Sequence, residues 1–245
     1  MIAVPLTRHE CATLRHAAWL HRARLRVEKA GKGRIGYVSL RSMEQHAYAQ
    51  FAEQYYAVHD RHALIVDVRH NVGGNIDAWL LERLLRRAWL HFQPRVGGGY
   101  TNMPYACRGH LAVLIDQQTQ SDAECFAEGF KRNGLGPVVG MRTWGGALWV
   151  SHGHWLQDGG EVKMPEIGAY NTDGQWHVEG HGVVPDVHVD NLPAATHGGE
   201  DAQLDEAVQQ LLRRLAAEPI ETPRPPAYPV RLGVNGRVGG ADGAL

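Results

Sequence analysis

The chain has little cysteine, no long hydrophobic run and almost no net charge, and each of these absences excludes a class of protein. Only three cysteines occur among 245 residues, Cys11, Cys107 and Cys125, and their odd number and wide spacing argue against a disulfide framework and for a reducing compartment. No apolar run approaches the ~18 residues of a membrane span, and residues 1–15 lack the apolar core of a secretion signal. We therefore expect a cytoplasmic protein that does not contact a membrane.

The charge balance gives no indication of a nucleic-acid partner. The chain has 25 basic and 26 acidic residues, a net charge of −1, so no polyanion is attracted by the whole molecule. Histidines are numerous, and His-x-His is a known ligand spacing, but no cysteine or acidic residue stands at a familiar metal spacing from them. We expect neither a metal ion nor a cofactor. The candidate metal histidines are His152, His154, His177 and His181.

Hydrophobic residues make up 44% of the chain, enough for one sizeable core, and their spacing predicts alternating strands and helices as far as residue 141. This alternation predicts an α/β fold with a mostly parallel sheet and helical crossovers. After residue 142, short alternating segments around Asp158-Gly-Gly and Asn171-Thr-Asp-Gly predict β-hairpins. Residues 218–245 are rich in proline and glycine and predict a disordered tail. The predicted strands are residues 34–40, 63–69, 111–115 and 138–141, the predicted helices are residues 10–30, 44–59, 76–92, 123–131 and 201–217, and residues 93–107 are predicted to be irregular.

Ser121 stands where a predicted buried strand is followed by a helix, in the segment Thr119-Gln-Ser-Asp-Ala-Glu. A hydroxyl there lies beside unpaired N–H groups at the positive end of the helix dipole, and such donors can stabilise an oxyanion. Ser-Asp-Ala-Glu also fits a capping box, with Ser121 as N-cap and Glu124 as its partner. On this segment alone the cap is the commoner role, and both interpretations stay open.

Two further segments have residue types suited to a site. The first, Asp67-Val-Arg-His-Asn-Val-Gly-Gly-Asn, ends a buried strand, and the glycine pair Gly73–Gly74 would let the backbone approach a ligand closely. It could equally be a turn that needs positive φ. The second, Glu179-Gly-His-Gly-Val-Val-Pro-Asp, places a carboxylate in a glycine-lined turn, where it could orient a catalytic group or simply be solvated.

As a set these segments resemble the tail-specific proteases, and among them the tricorn type. Arg34-Ile-Gly-Tyr-Val, the 64–74 segment, Ser121-Asp-Ala-Glu-Cys-Phe-Ala, Arg142-Thr-Trp-Gly-Gly, the 179–186 segment and Gln203-Leu-Asp occur in that family's order and approximate spacing. The resemblance implies a crotonase/ClpP-like spiral core over residues 34–217. It also implies that residues 1–33 are a helix and linker from a PDZ-like region, with a tail at 218–245 and possible homo-oligomers.

The resemblance assigns roles to individual residues of this sequence. Ser121 matches the nucleophile, and the N–H groups of Asp122 and of Gly73 or Gly74 match the oxyanion hole. Glu179 matches the glutamate of a Ser-His-Ser-Glu arrangement. Peptides or unfolded proteins would be the substrates. The segment 142–146 has no lysine, so the chain does not resemble the branch that uses a Ser-Lys dyad.

The family's upstream Ser-His pair has no counterpart in these residues. We therefore expect the general base to come from another chain, or a local histidine to substitute, with His70 nearest the glycine loop, because an unassisted serine is a poor nucleophile. One alternative is a peptide-binding pseudoenzyme or fragment that keeps the cleft without the chemistry. A crotonase-type acyl-CoA enzyme would share the core, but the sequence shows no convincing CoA-binding signature.

Overall fold

Helices and strands alternate along the first 140 residues, as the sequence predicts. A computed structural model describes residues 5–150 and 154–227, so the predicted tail beyond residue 227 and the candidate ligand His152 lie outside the described residues. Residues 218–227 contain no regular element. The elements in chain order are α1 (Arg8–Gly31), β1 (Ile35–Ser39), α2 (Gln45–Tyr56), β2 (Ala63–Asp67), α3 (Asp77–Leu85), β3 (Leu90–Phe92), β4 (Tyr100–Asn102), β5 (His110–Ile115), α4 (Asp122–Arg132), β6 (Val138–Gly140), β7 (Trp149–Val150), β8 (His154–Trp155), β9 (Glu161–Val162), β10 (Pro165–Ile167), β11 (Val187–His188), α5 (Pro193–His197) and α6 (Ala202–Ala217).

The central sheet has five strands in the order β1-β2-β5-β6-β11, and every neighbouring pair is parallel. Every residue of β1 and β2 is buried, because helices cover both faces of the sheet. Side chains of α1 and α6 pack on one face, and those of α2, α3 and α4 pack on the other. This confirms the predicted α/β fold with a mostly parallel sheet.

The prediction of one helix over residues 76–92 is wrong for the second half of that range. The helix ends at Leu85, and Arg86 is already extended with φ −60° and ψ 133°. Residues 90–92 instead form β3, which pairs antiparallel with β4, and the rings of Phe92 and Tyr100 stack with centroids 4.8 Å apart. The cross-strand pairing outweighs the helical periodicity of the leucines. The irregular segment predicted over residues 93–107 therefore contains a strand.

The region after residue 142 contains the predicted hairpins. β8 pairs antiparallel with β9 around the Asp158-Gly-Gly turn, and Tyr170 pairs with Trp176 around Asn171-Thr-Asp-Gly. β7 pairs antiparallel with β10. None of the helices among the described residues is long and apolar enough to cross a membrane, and each of the three cysteines is a free thiol.

Candidate functional site

The loops that follow three neighbouring strands of the sheet meet at its carboxyl edge. The loop after β5 leads into α4, and the Gln120 N–H donates to the carbonyl of Asn71 in the loop after β2, 2.9 Å away. The Trp144 N–H, in the loop after β6, donates to the carbonyl of Thr119 at 3.1 Å. The carboxyl edge of a parallel sheet is where open α/β folds bind ligands. Hydrogen bonds therefore join the loops that follow β2, β5 and β6 around Ser121.

Ser121 has a backbone conformation that a simple helix cap does not require. It has φ 54° and ψ −124°, a region that L-residues with a Cβ rarely adopt. Thr7, which caps α1, has the extended backbone usual for an N-cap, φ −67° and ψ 161°, and its hydroxyl accepts from the Glu10 N–H at 3.2 Å. Non-glycine residues in such conformations cost about 1–3 kcal/mol and concentrate at functional sites. Both predicted roles of Ser121 are thus compatible with its position, but its conformation favours the functional one.

Glu124 is a buried carboxylate that joins the start of α4 to the loop after β6. Its Oε2 accepts from the N–H groups of Ser121 at 3.0 Å and Gly146 at 2.9 Å. Its Oε1 accepts from the Thr143 hydroxyl at 2.5 Å and the Gly145 N–H at 2.7 Å. The sequence indicated only the local capping partner, because the three contacts to residues 143–146 bridge about twenty positions. Glu124 thereby fixes Ser121 against this loop.

Asp122, the first residue of α4, binds the segment that follows the glycine pair Gly73–Gly74. Its carboxylate Oδ2 accepts the N–H groups of Ile76 at 2.7 Å and Asp77 at 3.1 Å, at the start of α3. Burial raises the pKa of the Asp122 carboxyl to about 7, and the nearby Asp77 carboxylate adds to this shift. Asp122 Oδ1 is buried without a hydrogen-bond partner among the described residues. Burial of an unpaired carboxylate oxygen favours the protonated form.

The glycine pair lies against Ser121 and the loop after β1. A Cβ added to Gly73 would lie 2.5 Å from Ser121 Cβ and 3.2 Å from the Asp122 nitrogen, and one added to Gly74 would lie 2.0 Å from the Met43 carbonyl carbon. The Gly73 N–H donates to Asn71 Oδ1 at 2.9 Å, while the Gly74 N–H has no acceptor among the described residues. Both glycines are required for these close approaches, and both have positive φ.

Glu179 reaches the same loop system from the far side. Its Oε2 accepts the Ala147 N–H at 2.7 Å, and the next residue, Gly180, donates its N–H to the Gly145 carbonyl at 2.8 Å. The side chain is exposed. Glu179 is therefore anchored to the loop that Glu124 binds, and it connects to Ser121 through Gly145.

His70, the local histidine nearest the glycine loop, is bound to another group. Its Nδ1 lies 2.9 Å from Asp116 Oδ2 and 3.1 Å from Gln118 Oε1, and the hydrogen bond to Asp116 raises the pKa of the imidazole. No hydrogen bond joins His70 to Ser121 in the described part of the chain. The structure thus shows no hydrogen bond through which His70 would take a proton from Ser121 among these residues.

Cys125 lies one turn after Ser121 and is the other possible nucleophile on α4. Burial, together with the neighbouring carboxylates, raises the pKa of its thiol to about 12. The reactive form of cysteine is the thiolate, so this thiol is unreactive at neutral pH. Within residues 5–150 and 154–227, no group of three or more histidine, cysteine or acidic side chains could hold a metal ion.

The chain is similar in sequence to one peptidase family. Residues 34–189 match the model of peptidase family S41. Tricorn protease homolog 1 of Streptomyces coelicolor is 35% identical over 223 residues, covering 91% of this chain and 21% of that protein. The tricorn protease of Thermoplasma acidophilum is 31% identical over 217 residues, covering 87% of this chain and 20% of that protein.

The fold is similar to a solved structure as well. A crystal structure of the tricorn protease superposes with a TM-score of 0.80 at 30% identity, covering 83% of this chain and 20% of that chain.

A more distant sequence relative, a carboxyl-terminal-processing protease of Synechocystis, is 26% identical over 166 residues, covering 62% of this chain and 37% of that protein. The chain spans about a fifth of the length of the tricorn relatives.

Proposed function

Since the chain belongs to peptidase family S41, we propose that it is the catalytic module of a serine-type peptidase, with Ser121 as the nucleophile. The observation that carries the proposal is the backbone of Ser121, with φ 54° at the start of α4, together with Gly73 packed against its side chain. A strained turn between a strand and a helix presents a serine hydroxyl at the top of a sheet in other hydrolases. The relatives named as proteases support peptides or unfolded proteins as the substrate class.

In the proposed reaction Ser121 Oγ attacks the scissile carbonyl and its proton passes to a general base. The peptide C–N bond then breaks, the base returns the proton to the leaving amine, and water hydrolyses the acyl-serine ester. Because no hydrogen bond joins His70 to Ser121 among the described residues, we propose that the base comes from another chain. Glu179, exposed and anchored on Ala147, is proposed to orient that partner or a water molecule.

The developing oxyanion is proposed to be held by two main-chain donors. The Asp122 N–H stands at the first turn of α4, where helix N–H groups have no helical acceptor. We assign the second donor to Gly74, because the Gly73 N–H is already bound to Asn71 Oδ1. Gly73 then serves the close approach to Ser121. Preorganised donors of this kind contribute about 2.7–4 kcal/mol each to the transition state.

We also propose a cellular location and an oligomeric state for the chain. Three free cysteines support a reducing, cytoplasmic location. Homo-oligomers are proposed from the family resemblance. If a second chain supplies the base, assembly would also be needed for activity.

Labelling with a fluorophosphonate probe tests the assignment of Ser121. The wild-type chain, Ser121→Ala and the control Ser42→Ala are each incubated with the probe, and adducts are mapped by mass spectrometry. We expect an adduct on Ser121 that Ser121→Ala lacks and Ser42→Ala keeps. Equal labelling of Ser121→Ala would overturn the assignment. No adduct on a folded wild-type chain would mean that the chain alone assembles no activated serine, which points to the peptide-binding alternative or to a base that a missing partner supplies.

A further inference from the structure

Among the described residues, no strand pairs with the outer edge of β1 in the central sheet. β1 is the terminal strand of the order β1-β2-β5-β6-β11, so only one of its sides has a partner strand. The hydrogen bonds Ala63 N–H to Arg34 carbonyl and Leu40 N–H to Asp67 carbonyl fix which residues face β2. Since parallel ladders alternate, Tyr37 and its neighbours two positions away point their N–H and C=O groups outward.

These outward groups need a partner, because β1 is buried. All five of its residues are buried, yet the N–H and C=O of Tyr37 have no hydrogen-bond partner among the described residues. Buried main-chain polar groups are nearly always paired. An unpaired strand edge is a template for another strand.

At Ser39 a side chain takes the place that a sixth strand would fill. The Gln54 amide accepts the Ser39 N–H and donates to the Ser39 carbonyl, both at 3.1 Å. One amide bonded in both directions reproduces what a strand residue does in a ladder. The arrangement shows that this edge forms strand-like hydrogen bonds, and it marks where an added strand would end.

A groove follows this edge between α1 and α2. Its volume is about 1130 Å³, above the usual range for small-molecule pockets. β1 contributes about 16 Å of edge at about 3.3 Å per residue. The groove is therefore long enough for an extended peptide of four to six residues, by the same spacing of about 3.3 Å.

Charged side chains are distributed unevenly along the groove. At the start of β1, Glu28 is paired with Arg61, whereas Arg24 and Arg41 at the other end form no ion pair with a carboxylate among the described residues. Glu53 of α2 also lines the groove, so two unpaired arginines stand against one unpaired carboxylate in this described part of the chain. Arg24 donates to Gln54 Oε1 at 2.8 Å, beside the end of the strand. An acidic group on a bound peptide would find its complement here.

We propose that the edge of β1 binds an extended segment of another polypeptide as a sixth strand, with an acidic residue beside Arg24 and Arg41. The described part of this chain's own tail lies elsewhere, since residues 222–226 line a separate cavity with His91 and Tyr105. Main-chain pairing to Tyr37 supplies the affinity, and the arginines set the orientation. The groove is distinct from the serine site, so the proposal does not rest on catalysis.

Binding of a probe peptide tests this in the full chain. The probe is a fluorescein-labelled octapeptide of alternating valine and threonine ending in two glutamates, and its control has N-methyl groups on all of its backbone amides, so that neither edge can donate. Ala17→Trp fills the groove from α1, and Ala18→Trp is the matched control, because Ala18 is exposed but does not line the groove. Fluorescence anisotropy measures Kd.

We expect the probe to bind the wild-type chain and Ala18→Trp alike, and Ala17→Trp about tenfold or more weaker. The N-methylated probe should not bind, because it cannot donate to the strand edge. Equal binding to Ala17→Trp, equal binding of the N-methylated probe, or no binding at all would each overturn the proposal.

Hydrogen exchange of the Tyr37 amide identifies the occupant. We expect exchange to be fast in the free chain and slowed by the probe. Slow exchange without probe that depends on protein concentration would assign the edge to a second copy instead. Slow exchange that does not depend on concentration would assign it to the chain's own tail. Either result overturns the proposal.

Discussion

The main-chain N–H of Ser121 is held at 3.0 Å by Oε2 of Glu124, a carboxylate buried among loops that come from three strands. This one contact makes the capping box part of the site. Another helix cap, Thr7 with Glu10, lies on the surface, and its side-chain hydrogen bonds connect only these two residues of the described chain. The difference is that Glu124 also binds Thr143, Gly145 and Gly146. Stability and reactivity of the site should therefore both depend on Glu124.

Replacing Glu124 by glutamine should destabilise the fold and reduce the reactivity of Ser121. The amide nitrogen would face a backbone N–H where a carboxylate oxygen now accepts one, and a buried unsatisfied pair costs about 1–3 kcal/mol. Urea unfolding measures the first effect and fluorophosphonate labelling the second. The matched control is Glu128→Gln, one turn later, which loses only an ion pair with Arg132 worth about 0.3–0.5 kcal/mol. Equal effects of the two variants would contradict the role of Glu124 in holding Ser121 against the loop after β6.

Alanine at Gly73 should abolish labelling of Ser121. Its Cβ would lie 2.5 Å from Ser121 Cβ, so the loop or the serine must move. Gly97→Ala is a matched control, because Gly97 has a similar φ, 95° against 88°, but nothing within 4 Å of an added Cβ. Alanine at a positive φ destabilises both variants by about 1 kcal/mol, and only in Gly73→Ala does the new Cβ also clash with Ser121. Loss of labelling in both would show that backbone strain alone is responsible.

The contribution of Asp122 to stability should fall as pH rises from about 4 to about 7. Burial and the Asp77 carboxylate raise the Asp122 pKa from 3.8 to about 7 in the folded state. In that window the folded chain therefore binds a proton that the unfolded chain has released. The contribution is fully present below pH 3.8 and is lost as pH rises through about 7.

Asp122→Asn isolates this contribution. The amide oxygen can still accept the Ile76 and Asp77 N–H groups, but the side chain no longer titrates. Urea unfolding at several pH values between about 4 and 8 should show that the free energy of unfolding of the wild-type chain, measured relative to that of the variant, falls as pH rises. Parallel curves would show that Asp122 titrates normally in the folded chain.

Removing the Arg69 guanidinium should destabilise the fold strongly. Arg69 is buried and pairs with Asp67 at 2.7 Å and Asp201 at 2.7 Å, joining the end of β2 to the start of α6. Arg69→Leu would leave two buried carboxylates without compensation, at a cost of about 3–5 kcal/mol. Thermal or urea unfolding measures it. Arg26→Leu is the control, since its pair with Asp205 is only half-buried and therefore worth less than a fully buried pair. Comparable losses would mean that the buried pairs are no stronger than the half-buried one.

The sequence by itself determined four of the five strands of the central sheet, most of the helices and the position of Ser121 at a strand-to-helix junction, but not β11. Apolar runs such as Leu111–Ile115 and the periodicity of α6 are local patterns, so they predict local structure without further information. The family motifs indicated Gly73, Gly74, Asp122 and Glu179 by their order along the chain. These assignments of role stay predictions, as do the domain boundaries.

Only the tertiary structure decided how these segments meet. Residues 76–92 read as one helix until β3 found its partner in β4, because strand pairing depends on a residue ten positions away. In the same way, nothing local showed that Glu124 binds Gly145, that Asp122 caps α3, or that the edge of β1 is unpaired. Periodicity reports which face of a residue's own element is buried. Contacts between distant elements depend on the assembled sheet, and they exist only in three dimensions.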